Sequence, residues 1–512
     1  MAQTQPFTAS IGGGLVLNRD VFSMQPGEAL ELTNFEPDIE GGYKKILGTT
    51  KFNNNIVPQV ASSSERVVFS AIFNDVVLAG RGGSIHRGSS GSGSWTSLIT
   101  GLGTPTVNYE FRKFNFDGTD KIVICSGTST PRIVDSSYSV TNVNATGSAN
   151  FKFVEVFKNH IFFSGDSSNS QSIKFMPPFG TNDFTTANGG GEIRVDSPIV
   201  GLKVFRENLF IFCNDEIFKL LGDSYANFTL QPVTRKIGCR DGRSIQEFAG
   251  DIIFLGPDGL RTIAGTDRIG DVELGTISKQ VQEETDKITT HNVNSLVIRN
   301  KSQYRIFYPT SADQNENSSE GLISVIKNNP NTGQLGFEYS KTQGIKVSSC
   351  DSDFISGEET VISGGYDGYI YQQESGNVFT RAASTVTINA FFRTPDVTMG
   401  DPGIRKNMQR VIWNYENEGN VDTNFKVRYD FDSSNIPQPS AYSLSTGAGI
   451  AVYGLSVSTY GTAVYGSSGA NLVRQSVEGS GFTVALRVEE QSTNPPISFK
   501  GYQLEFIPGG RR

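Results

Sequence analysis

Residues 205–212 read Phe205-Arg206-Glu207-Asn208-Leu209-Phe210-Ile211-Phe212: an apolar anchor, three turn-type residues, then a short hydrophobic strand. The same order recurs at Phe73 (then Val76 to Ala79), Phe116 (Ile122 to Ile124), Phe157 (Ile161 to Phe163), Phe248 (Ile252 to Leu255), Ile298 (Tyr304 to Tyr308) and Ile355 (Val361 and Ile362). Successive anchors are separated by 43, 41, 48, 43, 50 and 57 residues, and the last two intervals hold polar insertions such as Ser311 to Glu320. Loops absorb insertions at small entropic cost. A period of this size suits one four-stranded sheet per repeat, the unit of a propeller blade. Four short antiparallel strands cannot bury both faces alone, so such sheets must stack radially, and closing the circle protects their edges. The expected class is all-β, with a β-propeller of six to eight blades over residues 61–380. The competing reading is unrelated hairpins of two sandwiches.

Turn chemistry agrees. Asp117-Gly118, Asp258-Gly259 and Asp367-Gly368 stand where tight hairpins are needed, because glycine accepts a positive φ and aspartate tolerates it. Helical periodicity is scarce; Thr276 to Thr289 is expected as a helix, and a shorter one from Pro26.

From Thr385 the strands lengthen and alternate. Val386, Ile388, Ala390 and Phe392 alternate with polar residues, as do Val411, Trp413 and Tyr415, then Phe425, Val427 and Tyr429, then Phe482, Val484, Leu486 and Val488. Period two with one apolar face describes a β-sandwich-like domain over 385–512, ending on Tyr502, Leu504 and Phe506. Residues 446–470 form a Gly/Tyr tract carrying Ala451-Val452-Tyr453-Gly454 and Ala463-Val464-Tyr465-Gly466. It reads either as a flexible hairpin or as an arm against a neighbouring subunit, since Tyr gives contact area at low entropic cost.

Composition narrows function. The 512 residues carry 44 basic against 52 acidic side chains, net −8, which disfavours a protein that grips nucleic acid through neutralised phosphates. The 35 Phe and 17 Tyr supply a sizeable core. No run is long and apolar enough to cross a bilayer, and Met1 to Ser10 is polar, so a protein made in a cytosol is expected. Cys125, Cys213, Cys239 and Cys350 lie far apart, and Cys125 and Cys213 close apolar strands, which assigns those two to packing in a reducing compartment. His86, His160 and His291 lack metal-ligand spacing, and no phosphate-cradle motif is present. Gly88 to Ser94 reads as a flexible connection. A propeller hydrolase would need two placed carboxylates, and the two tryptophans are few for a sugar-stacking cleft. The expectation is a protein without catalytic activity, cofactor or metal.

Several segments resemble one family. They are Gly12-Gly13-Gly14-Leu15, Met24 to Ala29, Asn34-Phe35-Glu36-Pro37-Asp38-Ile39-Glu40-Gly41-Gly42-Tyr43-Lys44-Lys45-Ile46-Leu47-Gly48, Phe175-Met176-Pro177-Pro178 before Asp183-Phe184, Ile237-Gly238-Cys239 with Phe254 to Arg261, and the closing Pro508-Gly509-Gly510-Arg511-Arg512. Together they resemble the tail nozzle (tail tubular protein B-like) proteins of short-tailed bacteriophages, although Phe-Met-Pro-Pro departs from the family pattern. The resemblance implies a homohexameric ring at the far end of a virion tail, docked on adaptor proteins below the portal, with tail fibres as further neighbours. It implies a lumen that retains the genome and passes duplex DNA without sequence-specific binding. It also implies a platform built partly from both chain ends, here residues 1–60 and 385–512. The alternative is a receptor- or glycan-binding propeller of a tail fibre or tip. Interface candidates are Asn34, Phe35, Gly41, Gly42, Tyr43, Tyr453 and Tyr465. In the Asn34 to Gly48 block the choice is open between a plain turn and strand and a contact with a subunit or adaptor, and Lys44 and Lys45 read as a solvated face.

Overall fold

Hydrophobic runs such as Ile122-Val123-Ile124-Cys125 have no polar face, so both sides of the strand need cover. In the computed structural model, which describes residues 3–59, 66–104, 107–264, 275–288, 293–309, 319–328, 335–445 and 471–511, they obtain it from neighbouring sheets. Ile122 and Ile124 pack with Leu78 and Ile85 of the preceding sheet, while Val123 and Cys125 pack with Phe151, Ile161 and Phe163 of the next. Leu209 and Ile211 likewise face back to Phe162 and Ile173, and Phe210 and Phe212 face forward to Ile252 and Phe254. Each such side chain, fully buried, contributes roughly 1.5–3 kcal/mol. Alternate residues of one strand thus glue two different interfaces, and the sheets stack as blades.

The chain is all-β and its central portion is a β-propeller. Six self-contained sheets serve as blades: four of four strands, one of three and one of six. A further sector is filled by Asn294–Ile298, Gln303–Pro309, Ser319–Asn328 and Leu335–Gln343, which open a nine-stranded sheet running on into the second domain. The innermost strands follow one another around the axis: Phe69–Phe73, Glu110–Asn115, Phe153–Phe157, Ile199–Phe205, Gln246–Phe248, Asn294–Ile298 and Ser349–Ile355. The ring closes where the last of these strands meets the first, Ser70 Oγ donating to Ser349 Oγ at 3.1 Å and Ile72 N–H to Asp351 Oδ2 at 2.9 Å.

The inner hairpins share a device. Asn74-Asp75 (φ 47° and 60°), Lys158-Asn159 (46° and 64°), Arg206-Glu207 (44° and 65°), Ala249-Gly250 (54° and 76°) and Ser356-Gly357 (52° and 85°) all turn with two successive positive φ values. That is the type I′ geometry, whose twist matches the flanking strands. Asp117-Gly118, Asp258-Gly259 and Asp367-Gly368 also lie between paired strands, each glycine with positive φ.

Closure of the ring uses the amino-terminal part. Thr49–Lys51 precedes the first blade but pairs with Ile370–Gln373 of the last, Tyr371 opposite Lys51. This strand, within the segment read as platform, belongs to a blade. Thr385–Thr387 also stays with that blade, paired to Val378–Thr380, so Val386 is on an edge and 47% exposed while Ile388 is buried. The alternation from Val386 to Phe392 is therefore broken between two sheets.

The second domain is a sandwich. One layer is a seven-stranded sheet in which Ile497–Arg511 lies between Ile404–Asn417 on one side and Gln5–Ser10 with Tyr43–Lys45 on the other. The facing layer continues the nine-stranded sheet through Glu31–Thr33, Ala390–Arg393, Val484–Glu490, Asp422–Tyr429 and Tyr442–Ser445. Trp413, fully buried, meets Phe425 of the facing layer at 5.6 Å across the core and, in its own layer, Phe499 at 5.3 Å and Tyr502 at 5.9 Å.

One helix expectation is met only in part and the other is corrected. Lys279–Val281 is a 3-10 turn followed by one α-turn, Gln282–Asp286, and Pro26 sits in a plain turn after a 3-10 turn at Val21–Ser23. In the first case the chain has to return to the sheet at Asn294. In the second, the backbone is taken up by Gly12 N–H donating to Gly27 O and Ala29 N–H to Gly14 O.

Candidate functional site

The Asn34 to Gly48 block occupies the seam between propeller and sandwich. Asn34 takes a left-handed turn at φ 56°, its Nδ2 donating to Gln343 O (3.0 Å) and Asn389 O (2.8 Å) and its Oδ1 accepting from Gln343 N–H (2.8 Å). It therefore ties the propeller-side strand Leu335–Gln343 to the sandwich segment at Asn389. Phe35 is wholly buried, edge-on to Phe392 at 5.3 Å, and the Tyr43 hydroxyl donates to Gly27 O at 2.9 Å. Asn34, Phe35 and Tyr43 are buried within the chain, where they tie its own segments together. Gly42 is there because it must be; at φ 90° a Cβ would stand 2.1 Å from Phe499 O. Gly41, at φ 95°, has open space around it and is only half-buried. Tyr453 and Tyr465 lie outside the described residues.

Lys45 is not a solvated residue. It is 1% exposed, its Nζ 3.3 Å from Glu490 Oε1 and donating to Ser492 O at 2.9 Å. Burial presses its ammonium below the usual lysine range, and Glu490 works against that. Lys44, the next residue, does reach solvent and pairs with Glu418 at 2.7 Å.

A second buried charge group is built on Glu36. Its carboxylate accepts from Lys301 (2.5 Å), Gln303 (3.0 Å) and Arg305 (2.9 Å), and Arg305 and Lys301 also hold Glu374 at the end of the last blade. Burial opposes ionisation of Glu374, yet Arg305 and Lys301 prevail and hold its carboxyl down at about 2. Four charges from three separate segments thus form one network with each cation bridging two carboxylates.

A cavity of about 760 Å³ lies on the propeller axis. The inner strands supply most of its wall, including Glu110, Arg112, Lys113, Lys203 and Asp351, and the 3-10 turn Gly242–Ser244 adds Arg243. Burial pushes the Glu110 carboxyl up against the pull of Arg112, and burial also pushes Asp351 up. Burial would lower the Arg112 guanidinium, but Glu155 and Glu110 outweigh it and hold it above its ordinary value. The wall therefore mixes both signs. None of these residues was singled out from the sequence; an isolated charge inside an apolar strand, such as Lys203 between Leu202 and Val204, was the available signal.

The four cysteines are reduced, three of them buried, and no group of metal-ligating side chains occurs among the described residues. His160 is buried with Nδ1 2.6 Å from Met176 O, and His86 is buried with Nε2 3.0 Å from Ser84 Oγ, so both pack within blades. His291 lies outside the described residues. No helix among the described residues is long and apolar enough to cross a membrane.

No protein-family model and no curated protein matches the chain. Among solved structures, the extracellular domain of a hybrid two-component system from B. thetaiotaomicron aligns over 73% of this chain and 44% of its own, at 9% identity and a TM-score of 0.39. This chain thus spans less than half of that protein's length. The AfRom2 CNH domain aligns over 65% of this chain and 100% of its own at 10% identity, with a TM-score of 0.38. A quinonprotein alcohol dehydrogenase-like protein from Bacteroides thetaiotaomicron VPI-5482 aligns over 63% and 71% at 10% identity, with a TM-score of 0.36.

Proposed function

We propose that this chain is a structural subunit of a short phage tail, a nozzle protein that assembles with five copies of itself into a ring closing the channel that retains the genome. It acts without catalysis or a cofactor: the ring docks on adaptor proteins, and duplex DNA passes through the lumen when the channel opens. The observation that carries this reading is the meeting of both chain ends in one sheet, Gln5–Ser10 lying antiparallel along Gly501–Phe506, next to a propeller. It supports the platform-plus-propeller arrangement that the resemblance of the Asn34 to Gly48 block and the other motifs implies. A net charge of −8 per subunit suits a wall past which a polyanion slides.

Native mass measurement and class-averaged particle images test it, on the purified chain over a range of concentrations. A six-fold ring with an axial opening is the expected result. A species that keeps the mass of one chain throughout and retains a host glycan from an array overturns it in favour of an adhesin.

A further inference from the structure

The axial cavity holds a cation that no described residue neutralises directly. Of the basic residues on its wall, Arg112 binds Glu155 through Nε (2.9 Å) and Glu110 through Nη1 (2.8 Å), and Arg243 binds Asp241 at 2.8 Å. Lys113 pairs with Asp353, and Arg299 lies 3.6 Å from Glu359. Of the wall's carboxylates, Glu110 and Asp353 are held in these pairs and Asp351 accepts from the backbone N–H of Ile72 and of Ser352, both at 2.9 Å, while Glu247 reaches solvent without a partner among the described residues. Lys203 makes neither a hydrogen bond nor an ion pair with any described residue. Among the carboxylates that act on it from a distance, exposed Glu247 exerts a weaker pull than Glu155 and Glu110, which Arg112 already holds.

We propose that the axial cavity is a binding site for a small oxyanion, a carboxylate or phosphate group, seated on the Lys203 ammonium. An unpaired ammonium facing a partly closed space is costly, and a charge-assisted hydrogen bond is the remedy the cavity leaves open. Burial and the neighbouring Arg112 charge depress the lysine below its ordinary value, and an anion beside it would reverse that. The volume, about 760 Å³, falls in the range of small-molecule sites. The inference needs only the propeller and is independent of the tail assignment.

The test titrates the full chain by calorimetry with inorganic phosphate and, separately, with acetate. Saturable binding of either is expected, weakened roughly tenfold or more in Lys203→Met, unchanged in Lys279→Met, an exposed control, and retained in Lys203→Arg. Phosphate alone saturating assigns a phosphate-bearing ligand, and acetate alone a carboxylate. Should Lys203→Met fail to fold, the unmodified protein answers: the bound anion should slow acetylation of Lys203 by acetic anhydride, read by peptide mass, and leave Lys279 unaffected. Binding that survives in folded Lys203→Met, or labelling of Lys203 that neither anion slows, overturns the proposal.

Discussion

The seam and the axis are both charged interiors that the propeller helps to line, and they are finished differently. At the seam Arg305 is 1% exposed and spans Glu36 and Glu374, so each charge there has a fixed opposite. On the axis Arg112 is one-quarter exposed, Lys203 has no direct partner among the described residues, and two carboxyls are held in part towards their neutral form. A saturated network inside the fold joins parts; an unsaturated one around a void leaves capacity for something else. That difference separates the load borne by Glu36 from the binding assigned to Lys203.

The largest effect should come from breaking the seam. Arg305→Met leaves the buried Glu36 and Glu374 sharing Lys301 as their one remaining cation and is expected to cost roughly 3–5 kcal/mol, whereas Arg112→Met, where water reaches the side chain, should cost about 1 kcal/mol. Denaturant unfolding followed by tryptophan emission measures both, and equal losses would erase the contrast. Next, Gly42→Ala drives a methyl into Phe499 O and should cost roughly 2–4 kcal/mol, against about 1 kcal/mol for Gly250→Ala, whose φ is also positive but which has open space around it. A comparison of melting temperatures decides.

Acid titration should separate the two interiors by sign. Glu374 is held at about 2 when folded against 4.5 ordinarily, so its stabilisation is complete above 4.5 and is lost as pH falls towards 2. Glu110 is raised above 4.5 by burial, against Arg112, so its stabilisation is complete below 4.5 and is lost as pH rises through its folded value. Melting curves across that range should therefore lose their acid limb in Glu374→Gln and their decline above 4.5 in Glu110→Gln; matching slopes in the two variants would contradict the assignment. The smallest effect is a gain. Ala249 holds φ 54° with an exposed methyl, and Ala249→Asn, creating an Asn-Gly turn, should stabilise by roughly 0.5–1 kcal/mol in the same melting assay.

The sequence displayed the blades better than their connections. Runs such as Leu209 to Phe212 and the Asp-Gly turns announce themselves locally, because burial on both faces and positive φ leave a composition signature. Arg206-Glu207 makes the same turn without Gly, Asn or Asp at either central position, so its positive φ values could be read only from the polar break between two apolar runs. The seam was illegible for another reason. Glu36 and Arg305 are 269 positions apart, and a glutamate between Phe35 and Pro37 reads as an ordinary turn residue until its partners are known. Lys45 was misread likewise, since nothing near it in the chain foretells Glu490.

The pairing of Tyr371 with Lys51 carries a consequence for biosynthesis. The strand that completes the last blade is translated about 320 residues before its neighbours. At ribosomal speeds of 5–20 residues per second the nascent amino terminus waits roughly 16–64 s with its hydrogen-bonding edge unmet. Gln5–Ser10 waits longer still, for a strand that ends at Arg511. Chaperone shielding of the first fifty or so residues would accordingly govern the yield of folded protein.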